Sequence, residues 1–387
     1  MVIAILEQGL GGIWNMLSIL LPFLFVLTVV VFIHELGHFL VARWCGVKVK
    51  AFSIGFGREI FGFYDRHGTR WRFAWIPLGG YVKFLDDENS ASVPSKSALD
   101  NLSAAEREGA FQTKSLAARS AIVVAGPIAN FLLAIVIFSV TYAVMGVHGT
   151  PPRVSELIPG EPAAVAGFQP GDLILSIDGQ PIETFADMQR VVATSPDQEL
   201  TFEVQRGNTI LTLRATPARR EISDRFGNKL RQGMIGIKRD PNPEWVYKRY
   251  GPVDSVVLGV RDTFFIVTRT LAYLADVITG RESADQMRGP IGIAEISGQV
   301  ATAGFVALLN LTAVLSVSIG LINLFPIPLL DGGHLLFYLI EAVRRRPLSE
   351  RTQEIGFRIG LAVVLMLMMF ATWNDLGTLR RWLTGIG

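Results

Sequence analysis

Between Leu17 and Leu40 runs an apolar stretch long enough to cross a bilayer as a helix, and within it stands VFIHELGHFL, carrying His34, Glu35 and His38. A lipid-embedded segment of this kind must be helical, because hydrocarbon offers no partners to bare backbone N–H and C=O groups. Each polar group there is costly, so three at this spacing call for a shared purpose. Residues four apart lie on one helix face, so His34 and His38 can reach a single ion while Glu35 stands beside it. Neutral imidazoles suit Zn²⁺, and two of them leave room for a third ligand and a water. By chance HExxH arises in roughly one of a few hundred chains of this His and Glu content, so the rest of the sequence has to decide.

Composition agrees with a chain partly dissolved in lipid. Of 387 residues 50% are hydrophobic and 18% charged, against about a quarter charged in an average soluble domain. The net charge of +2 gives no electrostatic case for nucleic acid. Cys45 is the single cysteine, which excludes an intrachain disulfide. Four apolar stretches are expected to span: Leu17 to Leu40, Ala121 to Met145, Phe305 to Leu330 and the shorter Ile359 to Trp373. No Lys or Arg precedes Arg43 and no cleavage-site pattern follows the first apolar core, so that segment reads as a retained span. Basic residues after the first span (Arg43, Lys48, Lys50) and between the third and fourth (Arg344, Arg345, Arg346, Arg351) put both loops in the cytoplasm. On that topology His34 lies roughly 25 Å from the outer side and Arg43 roughly 13 Å further on, so the motif is within the membrane and nearer the cytoplasm.

A third ligand is expected at similar depth. INLFPIPLLDGGHLL interrupts the third apolar stretch with Asn323, Pro326, Pro328, Asp331, Gly332 and Gly333. Prolines break helices, which is tolerated at membrane depth only where protein or a wet cavity satisfies the freed groups. An intramembrane carboxylate needs a partner, and an ion shared with the histidines gives Asp331 one. Asn323 is placed to donate to a substrate backbone or an oxyanion. His334 is the rival ligand.

These residues together resemble the site-2 protease family of intramembrane zinc metalloproteases, closest to the bacterial regulator of sigma-E protease type. The likeness rests on His34-Glu35-Leu36-Gly37-His38 in a first span, Gly126-Pro127-Ile128-Ala129-Asn130-Phe131 in a second, and Asn323 through Gly332 in a third. What the resemblance implies is a zinc site of His34, His38 and Asp331, Glu35 as catalytic acid/base, and Asn323 and Asn130 on the substrate. It also implies the bacterial inner membrane, and single-span membrane proteins as substrates, such as a trimmed anti-sigma factor or signal-peptide remnants.

The intervening segments fill out the architecture. Residues 46–85 alternate apolar and polar around Gly55, Gly57, Gly68, Gly79 and Gly80, which predicts short β-strands, with aromatics suited to the interface. In similar proteins this is a membrane-reentrant β-element near the active site, where a strand edge could hold an extended peptide. Asp86 to Glu108 reads as a mobile cytoplasmic loop within residues 86–118. Residues 150–220 run strand, turn, short helix, GDLILSIDG, helix, hairpin, an order resembling a PDZ domain, here one rather than the tandem pair of enterobacterial relatives. On the outer side, such a domain would act on substrate access. In the following region (221–300), Pro252 to Gly280 predicts an amphipathic interfacial helix, and RGPIGIAE (Arg288 to Glu295) is family-like without an evident physical role.

The expected fold is thus a multi-span α-helical membrane protein of about four transmembrane helices (1–45, 119–147, 303–342 and 357–387). A basic loop at 343–356, a membrane-associated β-element and one extracytoplasmic PDZ (α+β) domain complete it. The expected activity is zinc-dependent cleavage of peptide bonds in or near the membrane segments of other proteins. A PDZ-bearing scaffold with a structural metal would need neither Glu35 nor Asp331. A metal transporter would need a continuous polar route, and the remaining spans offer few intramembrane ionisable groups to line one.

Overall fold

The computed structural model describes residues 2–86, 102–223, 229–240, 245–284 and 287–384. They form two compact units, one of Met1–Val140 with Ser255–Gly377 and one centred on Thr141–Asp254.

The first unit is helical. Its helices are α1 (Val2–Trp44), α2 (Leu116–Val140), α3 (Pro252–Ile278), α4 (Pro290–Thr302), α5 (Phe305–Asn323), α6 (Asp331–Arg344) and α7 (Glu350–Thr384). Among the described residues four stretches are long and apolar enough to cross a membrane: Met16–Trp44, Leu116–Met145, Phe305–Asn323 and Arg351–Leu376. Two differ from expectation. The third ends at Asn323 rather than Leu330, because Pro326 and Pro328 cannot donate to a helix. The fourth is longer than the apolar core Ile359 to Trp373, because helical hydrogen bonding continues through its polar flanks, where water also satisfies side chains. Exposed Leu365, Met366, Met369 and Phe370 give α7 an outer surface suited to lipid.

Small residues let the helices approach. A Cβ on Gly37 would meet Ala125 O and lie 2.8 Å from Ala129 Cβ, so α1 and α2 pack backbone to backbone. Gly320 brings α5 onto α2 in the same way, with Asn130 Cβ and Pro127 O both 3.1 Å from a would-be Cβ. α3 is the helix expected at Pro252 to Gly280, and Gly259 seats it against Ser139 and Ile135 of α2.

RGPIGIAE now has a physical account. Buried Asp375, near the end of the fourth span, accepts N–H bonds from Gly289 (3.0 Å), Ile291 (3.1 Å) and Gly292 (3.1 Å), and so caps the start of α4 from another helix. Side chains at 289 or 292 would collide with that carboxylate.

Two long strands, β1 (Val49–Tyr64) and β2 (Arg70–Phe84), bend and are each used twice. Ala51–Ile54 pairs with Gly80–Lys83 on one side and with Arg70–Phe73 on the other, while Phe61–Tyr64 pairs with Arg70–Phe73. Gly55 and Gly57, at φ 90° and 89°, allow the bend. The predicted short strands are therefore four segments of one hairpin. Its inner face packs Phe52 against Phe39 and Trp71, with Val82, Phe84 and Ile122 completing the core. Phe61, Tyr64 and Trp75 stay exposed.

The loop after the hairpin is less free than expected at its ends, though residues 87–101 lie outside those described. Asp86 is buried and accepts from Phe111 N (2.8 Å) and Gln112 N (2.9 Å), and Ala104–Arg107 is a helical turn.

In the second unit an antiparallel sheet orders Gln180–Pro181, Leu173–Ile177, Leu200–Arg206 and Thr209–Ala215. Helix Phe185–Ala193 starts at a Thr184–Asp187 capping box. Phe202, Val204, Ile174 and Ile177 form its dry centre. The element order matches the reading of residues 150–220, but the unit is larger. Val147–Gly149 pairs with Val246–Lys248, and Glu156–Leu157 with Ile237–Lys238, so strands from both flanks close it.

Candidate metal centre

His34 and His38 project from one face of α1, one turn apart, and Asp331 is the first residue of α6. Their three inward atoms form a near-equilateral triangle: His34 Nε2 to His38 Nε2 is 3.2 Å, His34 Nε2 to Asp331 Oδ2 3.2 Å, and His38 Nε2 to Asp331 Oδ2 3.5 Å. Asp331 Oδ2 is buried and, despite that closeness, has no well-directed hydrogen bond.

The chemistry of the donors explains why. His38 Nδ1 lies 2.9 Å from Ile122 O, to which it can only donate, so its Nε2 presents a lone pair to a second imidazole nitrogen and a carboxylate. Electron-rich atoms brought this close need a cation between them. A tetrahedral ion with bonds of about 2.0–2.1 Å separates its ligands by about 3.3 Å, which matches the triangle. The residues fit zinc, and the three are the one group of this kind among the described residues.

Local sequence makes the triangle possible. Gly126 of α2 faces the imidazoles, where a Cβ would meet His38 Nε2 and lie 2.5 Å from His38 Cε1 and 2.9 Å from His34 Cε1. Asp331 is aimed by the broken segment before it. Leu329 sits at φ 109°, a conformation that non-glycine residues adopt only when their surroundings impose it. The surroundings are tight: Gly332 meets Phe325 O and Leu324 O, Gly333 meets Ile327 O, and Gly360 of α7 meets Pro328 O, none with room for a Cβ.

A cavity of about 680 Å³ opens on the triangle and includes Glu35, Asn323, His334, Gly80, Tyr81 and Val82 in its lining. Glu35 accepts a hydrogen bond from Val82 N–H of β2, and Gly80 passes 3.0 Å (would-be Cβ) from Glu35 Cγ, so the hairpin edge holds the carboxylate in place. Asn323, at the end of α5, also lines the cavity. His334 also lines it, but its ring packs on Phe357 at 5.3 Å and is outside the triangle.

The resemblance put Asn130 on the substrate. The residue is fully buried, outside the cavity lining, with Nδ2 3.2 Å from His34 Nδ1. The sequence placed Gly126 in a motif and Gly80 in a strand element without their contacts to the site, and gave no place there to Gly360. Glycines inside apolar helices were the available signal.

The model of peptidase family M50 matches residues 22–367. The chain belongs to peptidase family M50. Among relatives, a protein of Agrobacterium fabrum named as an inferred zinc metalloprotease is 49% identical over 361 residues, covering 93% of this chain and 96% of that one. One of the same description from Mesorhizobium japonicum is 50% identical over 364 residues, covering 93% and 99%. Metalloprotease MmpA of Caulobacter vibrioides is 40% identical over 382 residues, covering 93% and 96%. A PDZ domain structure from Listeria monocytogenes covers 23% of this chain and 84% of its own at 20% identity and a TM-score of 0.18, too slight a likeness to carry an argument. This M50 member is a membrane metalloprotease, and zinc is its metal.

Proposed function

We propose that this M50 protease cleaves single-span membrane proteins in or near their membrane segments, with His34, His38 and Asp331 holding zinc and Glu35 as acid/base. The observation that carries the reading is the triangle of donor atoms at one wall of a cavity that also holds Glu35 and Asn323.

Zinc, when bound, supplies a water of lowered pKa and a Lewis acid for the scissile carbonyl. Glu35 takes the proton from the attacking water and returns it to the leaving amine. Val82 N–H keeps the Glu35 carboxylate facing the cavity through both transfers. Asn323 donates to the substrate backbone. The Gly80–Val82 stretch of the hairpin lines the cavity beside Glu35 and offers main-chain partners to an extended substrate. A helical substrate must unwind there, since a helix hides its carbonyls. The bacterial relatives favour the inner membrane, and the basic loops favour an orientation with the site toward the cytoplasm and the Thr141–Asp254 unit, PDZ-like in its element order, on the periplasmic side. Substrates of the trimmed anti-sigma factor type and signal-peptide remnants fit a site reached through the bilayer.

Glu35→Gln in the full chain, reconstituted with a single-span substrate, tests this. Cleavage is expected to fall about 10²–10⁴-fold with zinc content unchanged, because the amide keeps the shape and cannot accept the proton. Near-normal turnover would sink the assignment.

A further inference from the structure

We propose that Asn130 is the positioning residue of the metal centre: its side-chain amide, buried between α2 and α5 against His34, fixes which imidazole nitrogen of His34 faces the ion. The inference rests on the zinc reading above.

Two buried irregularities meet at this residue. Asn130 Nδ2 stands 3.2 Å from His34 Nδ1, while Asn130 Oδ1 is buried without any partner. An Nδ2–H donated to Nδ1 requires Nδ1 to carry the lone pair, which leaves the ring proton on Nε2. Nε2 points to Asp331 Oδ2 at 3.2 Å, so a proton there occupies the place of the ion. Turning the amide half a revolution about Cβ–Cγ exchanges two ends of nearly equal size. Oδ1 then accepts from Nδ1–H, the buried oxygen gains its partner, and Nε2 is left bare toward Asp331 and His38. One rotation gives the buried oxygen its partner and bares Nε2, with the amide nitrogen taking the place the oxygen held, and only the rotated state leaves His34 able to bind metal through Nε2.

The backbone holds the amide at this spot. Ser316 Oγ of α5 donates to Asn130 O at 2.9 Å, and Gly320 lies against Asn130 Cβ, so the residue is clamped between helices with His34 as its side chain's one partner among the described residues. His38 receives the corresponding service from Ile122 O through its Nδ1. Each imidazole thus has one oxygen from α2 behind it, the two residues (Ile122 and Asn130) being eight positions apart on the same helix. Hydrogen-bonded oxygens behind metal-binding histidines raise their basicity and fix their tautomer.

The test compares zinc affinity, by chelator competition on the purified full chain in detergent, for the native protein and Asn130→Asp, Asn130→Ala and Asn130→Leu. Asp retains an acceptor and is expected to stay within about threefold of native affinity. Ala and Leu are expected to bind zinc about 10–100-fold more weakly, with KM for substrate unchanged at saturating zinc. Leu fills the volume, so a folding defect from the Ala cavity does not obscure the result. A folded Ala or Leu variant with native zinc affinity, or one in which KM rises while zinc binding holds, would overturn the proposal and return Asn130 to the substrate. Failure of the native chain to bind zinc would instead refute the metal reading.

Discussion

Adding one methyl group at Gly126 probes how finely the metal triangle is built. The new Cβ of Gly126→Ala would stand 2.5 Å from His38 Cε1 and 2.9 Å from His34 Cε1, where carbon atoms at rest keep about 3.5–4.0 Å. The His38 ring must therefore retreat by about 1 Å. Its retreat is opposed by the Nδ1 bond to Ile122 O, and α2 cannot move back without opening the close Gly37–Ala125 contact with α1. Displacing a reacting group by about 1 Å costs on the order of 100-fold in rate, which is about 2.7 kcal/mol of transition-state stabilisation. The atoms met are side-chain rings rather than backbone, so the fold is expected to survive. Cleavage of a single-span substrate, zinc content and thermal unfolding would be measured on the same preparation. A variant that unfolds normally, holds zinc normally and turns over within threefold of the native chain would refute the claim that Gly126 makes room for the ligands.

Asp375→Ala leaves three N–H groups at the start of α4 without an acceptor and is expected to cost roughly 2–4 kcal/mol. Faster hydrogen exchange at Gly289, Ile291 and Gly292 would report the loss, and unchanged exchange would show that the cap is idle. In the second unit, burial pushes the Asp172 carboxyl up, but Arg206 and the Gln169 N–H outweigh it and hold the group below its ordinary 3.8. A depressed carboxylate stabilises the fold above its unfolded value. That contribution is lost as pH falls from about 3.8 through the lower folded value. Exchange from strands Leu173–Ile177 and Leu200–Arg206 in the full chain should therefore quicken in that acid range. Arg206→Met should destabilise the unit by about 2–4 kcal/mol at neutral pH, because it strands a buried charge. A variant as stable as the native protein would show that Gln169 N–H suffices.

What the sequence determined alone is what short-range physics writes into it. Apolar length sets the spans, the i, i+4 spacing puts His34 and His38 on one face, and turn residues at fixed offsets set the element order of the second unit. Prolines in INLFPIPLLDGG announced a break at depth, and the break is where Asp331 begins its helix. Tertiary structure decided everything that depends on which surfaces meet. Asp375 and Gly289 are 86 positions apart, as Asn130 and His34 are 96, and no local period links such pairs. Asn130 was expected on the substrate, and only the packing of α1 and α5 against α2 shows it buried beside His34. Gly126 and Gly360 look like ordinary small residues in apolar helices, and only the facing atoms show what each must leave room for. The hairpin's alternation predicted strands, but their bending into four segments, with one edge beside Glu35, follows from packing Phe52 and Val82 onto α1. Side-chain type and spacing fix which chemistry a chain can perform. Whether donor atoms stand three ångströms apart is settled by helix contacts that small residues permit and distant residues supply.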